Sequence, residues 1–249
     1  DYTDDIRAMG FILKTRYGSG ANLFLISADE EGDGLLKAWK DLCQRRKRLM
    51  NECVNRFGCV DEILRLHGQE SKVMLFHEKI AQVDWMSEKY HGRYPQETMM
   101  DNDDDEHWVL GMPLVENAEE WLGWNPVTIH SKKGKKENDK SLEMFAKGES
   151  RICLSCKSLK EGVDVPDCDI GIMVSGTNAA RGRIQTLGRA LRKGSESAIV
   201  YLLYIPDTTD FKGVSNLVWR GDLPDGVLEH YKFSGQSLRF VSRDTVKEE

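Results

Sequence analysis

The sequence predicts an α/β protein built on a parallel sheet with helices on both faces. Two observations lead there. From about residue 72, short apolar runs alternate with amphipathic segments, the order in which strand–helix–strand units are written. The 249 residues, 40% hydrophobic and 31% charged, describe a globular chain able to bury one large core or two modest ones. No apolar run approaches the roughly 18 residues of a membrane span. Parallel sheets of this kind bind ligands at the carboxyl ends of their strands.

Taken in order, the first 33 residues read as a connection into the domain, with "NLFLIS" (22–27) as a strand. Residues 34–68, "GLLKAWKDLCQRRKRLMNECVNRFGCVDEILRLHG", read as one long helix or two shorter ones. "VMLF" (73–76) is a buried strand, "EKIAQVDWMSEKYH" (78–91) a helix, and "VTI" (127–129) a strand. "KENDKSLEMFAKG" (136–148) is a helix closed by a C-terminal glycine. Strands follow at "RICLS" (151–155), "DIGIMVS" (169–175) and "AIVYLLYI" (198–205), with an amphipathic helix between the last two. The resulting division is 1–71 as connecting helices, 72–205 as the main lobe with an acidic insertion at 95–126, and 206–249 as an extension. The extension carries no motif; it either braces the lobe or leads into another domain.

The formal net charge of −6 is unevenly spread. Residues 95–126 hold nine Asp or Glu and no Lys or Arg. The remainder is mildly basic, with clusters "RRKR" (45–48) and "KKGKK" (132–136), so a polyanion partner is compatible with the composition. Trp108, Trp121 and Trp124 in the acidic segment either cap a local fold or meet a partner. The six cysteines, at 43, 53, 59, 153, 156 and 168, make no disulfide framework in a chain this long. Cys153 and Cys156 have metal-ligand spacing, but no second pair exists and they sit in an apolar strand. They read as buried thiols, and no metal site is assigned. The start "DYTDDIRAMG" has no signal-peptide pattern, so an intracellular location, cytoplasmic or nucleoid/nuclear, is expected.

One stretch concentrates positive charge: "RIQTLGRALRKG", residues 183–194. At about 100° per residue, Arg181, Gln185, Gly188, Arg189 and Arg192 share one arc, and Ala180, Ile184, Leu187 and Leu191 lie roughly opposite. Guanidinium stays ionised, and its planar fork of donors suits phosphate. Gly188 costs about 1 kcal/mol in a helix interior relative to Ala, which points to a close approach there. A solvated charged face and a phosphate-facing stripe both fit these residues taken alone.

The order of the pieces carries a resemblance. "KVMLFHEKIAQVDWMSEKY" (72–90), then "IHSKKGKKENDKSLEMFAKGESRICLSCKSLKEGVDVPDCDIGIMVSG" (129–176), then "RGRIQTLGRALRKG" (181–194) resemble motifs IV, IVa, V and VI of superfamily 2 helicases and translocases. These motifs belong to the second RecA-like lobe, a form of the P-loop NTPase fold. The flavour is more similar to the DNA-repair and type III restriction helicase branch than to the DEAD-box RNA branch. The likeness covers residues 72–205, interrupted by the acidic insertion.

That resemblance implies a set of roles. ATP would lie in a cleft between two lobes, with the Mg2+ ligands on the first. Arg192 is the implied arginine finger, Arg189 supports or shares its role, Gln185 orders the cleft, and Gly188 permits close approach. Gly162 and Asp164 of "KEGVDVP" border the nucleotide, the acid near the ribose or the attacking water. Ser155, Cys156 and Lys157 stand where the family places a threonine and its neighbours on the nucleic-acid backbone, with cysteine replacing threonine. Thr186 departs from the arginine usual after the glutamine. His77 is read equally as a groove-lining residue or a plain strand-end histidine. His130, Ser131 and Lys132 resemble the region that contacts phosphodiester, although the lysines of "KKGKK" fit a solvated helix entry as well.

Two expected parts are missing. The Gly134–Lys135 pair has neither the preceding glycine nor the following Ser or Thr that a phosphate-binding loop requires. "DDEH" (104–107) imitates the helicase Asp-Glu-x-His motif, but acidic residues precede it where an apolar strand is needed, so it reads as a solvated loop. The expectation is the second motor lobe of an ATP-dependent DNA helicase or translocase, an ATP hydrolase within a longer protein, inactive on its own. Its implied partners are nucleic acid, DNA rather than RNA, and the first lobe of the same protein. An RNA helicase lobe is an alternative. So is a non-catalytic RecA-like scaffold that docks a protein partner at the acidic insertion.

Overall fold

A computed structural model of the chain describes residues 2–27, 33–93, 118–156, 166–175, 199–206, 208 and 227–245. These fall into two compact units, 1–53 and 54–249.

The first unit pairs α1 (Tyr2–Tyr17) with α2 (Gly34–Asn51). Leu13, Leu23, Leu36 and Trp39 make a small core of its own. Gly10 lets the helices approach, since a Cβ there would lie 3.1 Å from Trp39 Nε1; the same indole N–H donates to the Ile6 carbonyl at 3.1 Å. Asp33 caps α2, accepting the backbone N–H groups of Leu35 at 3.0 Å and Leu36 at 3.1 Å. Its other oxygen accepts from Arg16 at 2.6 Å and the Tyr17 hydroxyl at 2.8 Å. Burial raises the pKa of this carboxyl, but the bonds from Tyr17, Leu36 and Arg16 outweigh it and bring it down to about 2. The strand expected at 22–27 is instead a turn. The Asn22 side chain accepts the Phe24 N–H at 3.3 Å, and the Asn22 carbonyl accepts the Leu25 N–H at 3.0 Å. Among the described residues this unit has no other strand to pair with, and a local side-chain turn wins.

The second unit runs α3 (Val54–His67), β1 (Val73–His77), α4 (Ile80–Tyr90), a 3-10 turn (Ala118–Trp121), β2 (Val127–His130), α5 (Lys135–Ala146), β3 (Ile152–Cys156), β4 (Ile170–Met173) and β5 (Ile199–Leu202). A hairpin, β6 (Val227–Phe233) and β7 (Leu238–Thr245), follows. The sheet order is β2-β3-β1-β4-β5, and every neighbouring pair is parallel. The α/β parallel sheet with helices on both faces is therefore what the chain builds. In β1 the two-residue period sends Val73 and Leu75 to the face covered by α3 and α4, and Met74 and Phe76 to the face covered by α5.

The helical stretch 34–68 is two helices, broken at Glu52–Cys53, where the units divide. Phe57, Val60, Ile63 and Leu64 of α3 enter the core of the sheet, so α3 packs as part of this unit. Trp121 and Trp124 are buried, which makes them caps of the local fold; Trp108 and the "DDEH" stretch lie outside the described residues. Trp121 meets Tyr90 edge-on at 5.0 Å. Arg65 lies over the Trp121 ring at 5.5 Å and grips Glu120 at 2.5 and 3.1 Å. Beneath them Asp61 accepts from the Lys89 ammonium and from the Tyr90 hydroxyl at 3.0 Å. From the hairpin, Phe233 and Leu238 pack against the same core. Gly58 makes room for Phe233, because a Cβ there would stand 3.0 Å from Phe233 Cζ.

Candidate nucleic-acid interface at the carboxyl edge of the sheet

Parallel strands bring all their carboxyl ends to one edge. Register aligns His130 of β2 with Cys156 of β3, and Cys156 with His77 of β1, so three residues singled out from the sequence form one row. His77 is fully buried. Its Nδ1 accepts the Lys79 backbone N–H at 3.1 Å, and its ring stacks on Phe57 at 6.1 Å and 20°. His130 is 5% exposed, with Nε2 3.3 Å from Asp84 Oδ1. Burial pushes its pKa below 6.5, and the nearby Lys133 adds to this, against the opposing pull of Asp84. The Asn138 side chain accepts the His130 N–H at 3.3 Å and donates to the His130 carbonyl at 3.2 Å, as a neighbouring strand would. Lys133 donates to the Thr128 hydroxyl at 2.5 Å and to its carbonyl at 3.3 Å. These bonds close the outer edge of β2 to further pairing.

Ser131 and Lys132 are exposed immediately past β2, where phosphate can reach them. Ser155 and Cys156 are buried. Strand alternation puts Ser155 on the α5 face, where its hydroxyl has no partner among the described residues. Cys153 belongs to the α5-side core and Cys156 to the opposite one, so the two thiols cannot share a metal. Among the described residues no group of three His, Cys, Asp or Glu can hold a metal ion. A cleft of about 430 Å3 beside the His130–Asp84 pair is lined by Asp84, Glu88, His91, Thr128, Lys133 and Ser141. Gly162, Asp164, Gln185, Gly188, Arg189, Arg192 and Lys157 lie outside the described residues. Cys156 and Ser175, the last described residues before 157–165 and 176–198, both stand at this edge.

The edge also holds residues that sequence reasoning missed. Arg56 is 4% exposed and donates to the Val174 carbonyl and, at 2.9 Å, to the Leu203 carbonyl. The Ser175 hydroxyl accepts the Glu78 N–H at 3.0 Å. Arg56 was detectable, since it occupies the apolar stripe of α3 one turn before Val60. Asp84 and Ser175 gave no local signal.

The helicase conserved C-terminal domain model matches residues 55–194. The DNA 3'-5' translocase XPB2 of Sulfurisphaera tokodaii is 35% identical over 87 residues, 35% of this chain and 20% of that protein. The DEAD-box ATP-dependent RNA helicase 5 of Arabidopsis thaliana is 24% identical over 122 residues, 48% of this chain and 21% of that protein. A DEAD box protein from the hyperthermophile Methanococcus jannaschii superposes with a TM-score of 0.48 at 14% identity, over 68% of this chain and 38% of that one. The chain spans about a fifth of the length of these two curated relatives.

Proposed function

The chain belongs to the helicase conserved C-terminal domain family, and from that premise we propose that it is the second motor lobe of an ATP-dependent DNA helicase or translocase. The observation that carries this reading is the shared edge. The row His130–Cys156–His77 lies at the carboxyl ends of the strands, and the segments bearing "KEGVDVP" and "RIQTLGRALR" depart from that same edge. The greater identity to the DNA translocase, over a shorter match, favours DNA.

In this reading ATP, when bound with Mg2+, supplies the phosphoanhydride whose cleavage drives movement. Gly162 and Asp164 border it, Gln185 and Gly188 shape its cleft, and Arg189 and Arg192 meet its phosphates. The resemblance to superfamily 2 motors assigns the magnesium ligands to the first lobe. Ser131 and Lys132, exposed past β2, contact the phosphate backbone and read charge, not sequence; Lys157 follows the row on β3 and extends that contact. The buried His77, Ser155 and Cys156 shape the edge from beneath.

The test is nucleic-acid-stimulated ATPase of a polypeptide carrying both lobes, wild type against Arg192→Ala, with single-stranded DNA, duplex DNA and RNA supplied separately. Turnover is expected to fall by roughly 10³- to 10⁵-fold with ATP binding retained, and DNA to stimulate best. Turnover unchanged by the substitution overturns the finger. Stimulation by RNA alone replaces the DNA reading with an RNA helicase lobe. The 249-residue chain by itself is expected to hydrolyse no ATP.

A further inference from the structure

We propose that Arg56 is a positioning residue for the arginine-bearing segment, acting by locking the carboxyl end of β4, from which that segment departs, to the carboxyl end of β5. The inference rests on the reading of Gln185, Arg189 and Arg192 as phosphate-facing. Its geometry lies wholly in described residues. The β4–β5 ladder ends at the Met173–Leu202 pair, with a final bond from the Leu203 N–H to the Met173 carbonyl at 3.0 Å. Val174 turns to the other side, its N–H donating to the Phe76 carbonyl of β1 at 2.9 Å, and the carbonyls of Val174 and Leu203 lie just past these last backbone bonds. One guanidinium nitrogen of Arg56 donates to both, the Leu203 bond being 2.9 Å, and so bridges the two strand ends past their last backbone bond.

The residues around Arg56 turn that bond into a fixed reference. Phe57, the next residue of α3, stacks on His77 at the end of β1 and meets Trp85 at 5.4 Å. Ser175, one residue past the clamped carbonyl, accepts the Glu78 N–H at 3.0 Å, tying β4 back to the exit of β1. The first turn of α3 thus registers three strand ends against one rigid helix. Val60, Ile63 and Leu64 continue the same stripe as plain hydrophobes. A desolvated guanidinium at such a position costs stability unless its donors find partners, and here one nitrogen bonds two backbone carbonyls at the functional edge. An arginine finger acts through placement, and a displacement of about 1 Å far from the chemistry can cost roughly 100-fold in rate.

The experiment uses the polypeptide carrying both lobes. Arg56→Met keeps the aliphatic stem and removes the donors; Arg56→Lys keeps one cationic donor group. Turnover, ADP affinity and affinity for ADP–aluminium fluoride, which imitates the transferring phosphoryl group, are measured for both and for Arg192→Ala. Arg56→Met is expected to lower kcat roughly 10- to 100-fold and to weaken ADP–aluminium fluoride by a similar factor. ADP affinity stays within about threefold on the same scale, and Arg56→Lys recovers part of the loss. A folded Arg56→Met protein with unchanged kcat, or with ADP and ADP–aluminium fluoride weakened alike, overturns the proposal provided Arg192→Ala is inactive. If Arg192→Ala is itself fully active, the motor reading fails first. Should Arg56→Met not fold, Arg56→Lys must show the same split at smaller amplitude, and an equal weakening of both ligands refutes it.

Discussion

The two faces of the sheet are built from different chemistry. The α5 face is closed by Met74, Phe76, Val127, Ile129, Phe145, Cys153, Cys168 and Met173, apolar or nearly so, and burial pushes the Cys168 thiol up to about 12. On the α3/α4 face the apolar core is threaded by charge: Arg56 on two carbonyls, Lys89 on Asp61, His130 beside Asp84. One face holds the sheet together by area and packing alone. The other face spends desolvation on groups that set where strand ends and loops stand, and the row His130–Cys156–His77 belongs to it.

The two faces differ most at Lys89. Lys89→Met alone leaves the Asp61 carboxylate buried without its cation, held only by the Tyr90 hydroxyl, and is expected to destabilise by about 3–5 kcal/mol, read by urea unfolding. Adding Asp61→Leu is expected to recover most of that. A double variant as unstable as the single one would mean that the polar face depends on these side chains for shape and not for pairing. On the α5 face, Ile129→Ala is expected to cost about 2–5 kcal/mol without altering the pH dependence of stability; a changed pH profile would erase the distinction between the faces. Gly58→Ala forces a Cβ to 3.0 Å from Phe233 and is expected to cost about 1–3 kcal/mol, unless the hairpin moves aside. A melting temperature equal to wild type would show that it does.

The smallest effect sharpens the contrast. Burial holds His67 below its unfolded value of 6.5, and burial with Lys133 does the same for His130. Below pH 6.5 the unfolded chain therefore binds more protons than the folded one, and stability falls as pH drops through that window. His130→Gln is expected to flatten part of this slope, by less than about 1 kcal/mol. An unchanged slope would assign the whole dependence to other groups. The first unit behaves separately: Asp33, lowered from 3.8 to about 2, contributes stability present above pH 3.8 and lost as pH falls toward 2.

Much of the fold was legible because it is written in local spacing. The strands at 73–77, 127–130, 152–156 and 170–173 and the helices at 80–90 and 135–146 follow from short apolar runs and a 3.6-residue period. The turn at 22–27 was not legible, because a short apolar run is a strand only when another strand lies beside it. The packing of α3 onto the sheet was not legible for a related reason: an amphipathic helix shows that it has an apolar face, not what covers that face. Of the candidate site, the row of strand-end residues was legible through motif order. Arg56 left a trace, as a cation on an apolar stripe, and Lys89 left the same trace beside Trp85, Met86 and Tyr90 in α4.

The sequence by itself determined the order of strands and helices in the parallel sheet and the motifs that place the chain among helicase C-terminal domains, because each is encoded within a few turns of chain. Tertiary structure alone decided which charges are buried and whom they meet. Arg56 finds its carbonyl 118 residues away and Lys89 its carboxylate 28 residues away. No local period carries such a pairing; it exists only once the sheet has brought its strand ends to one edge.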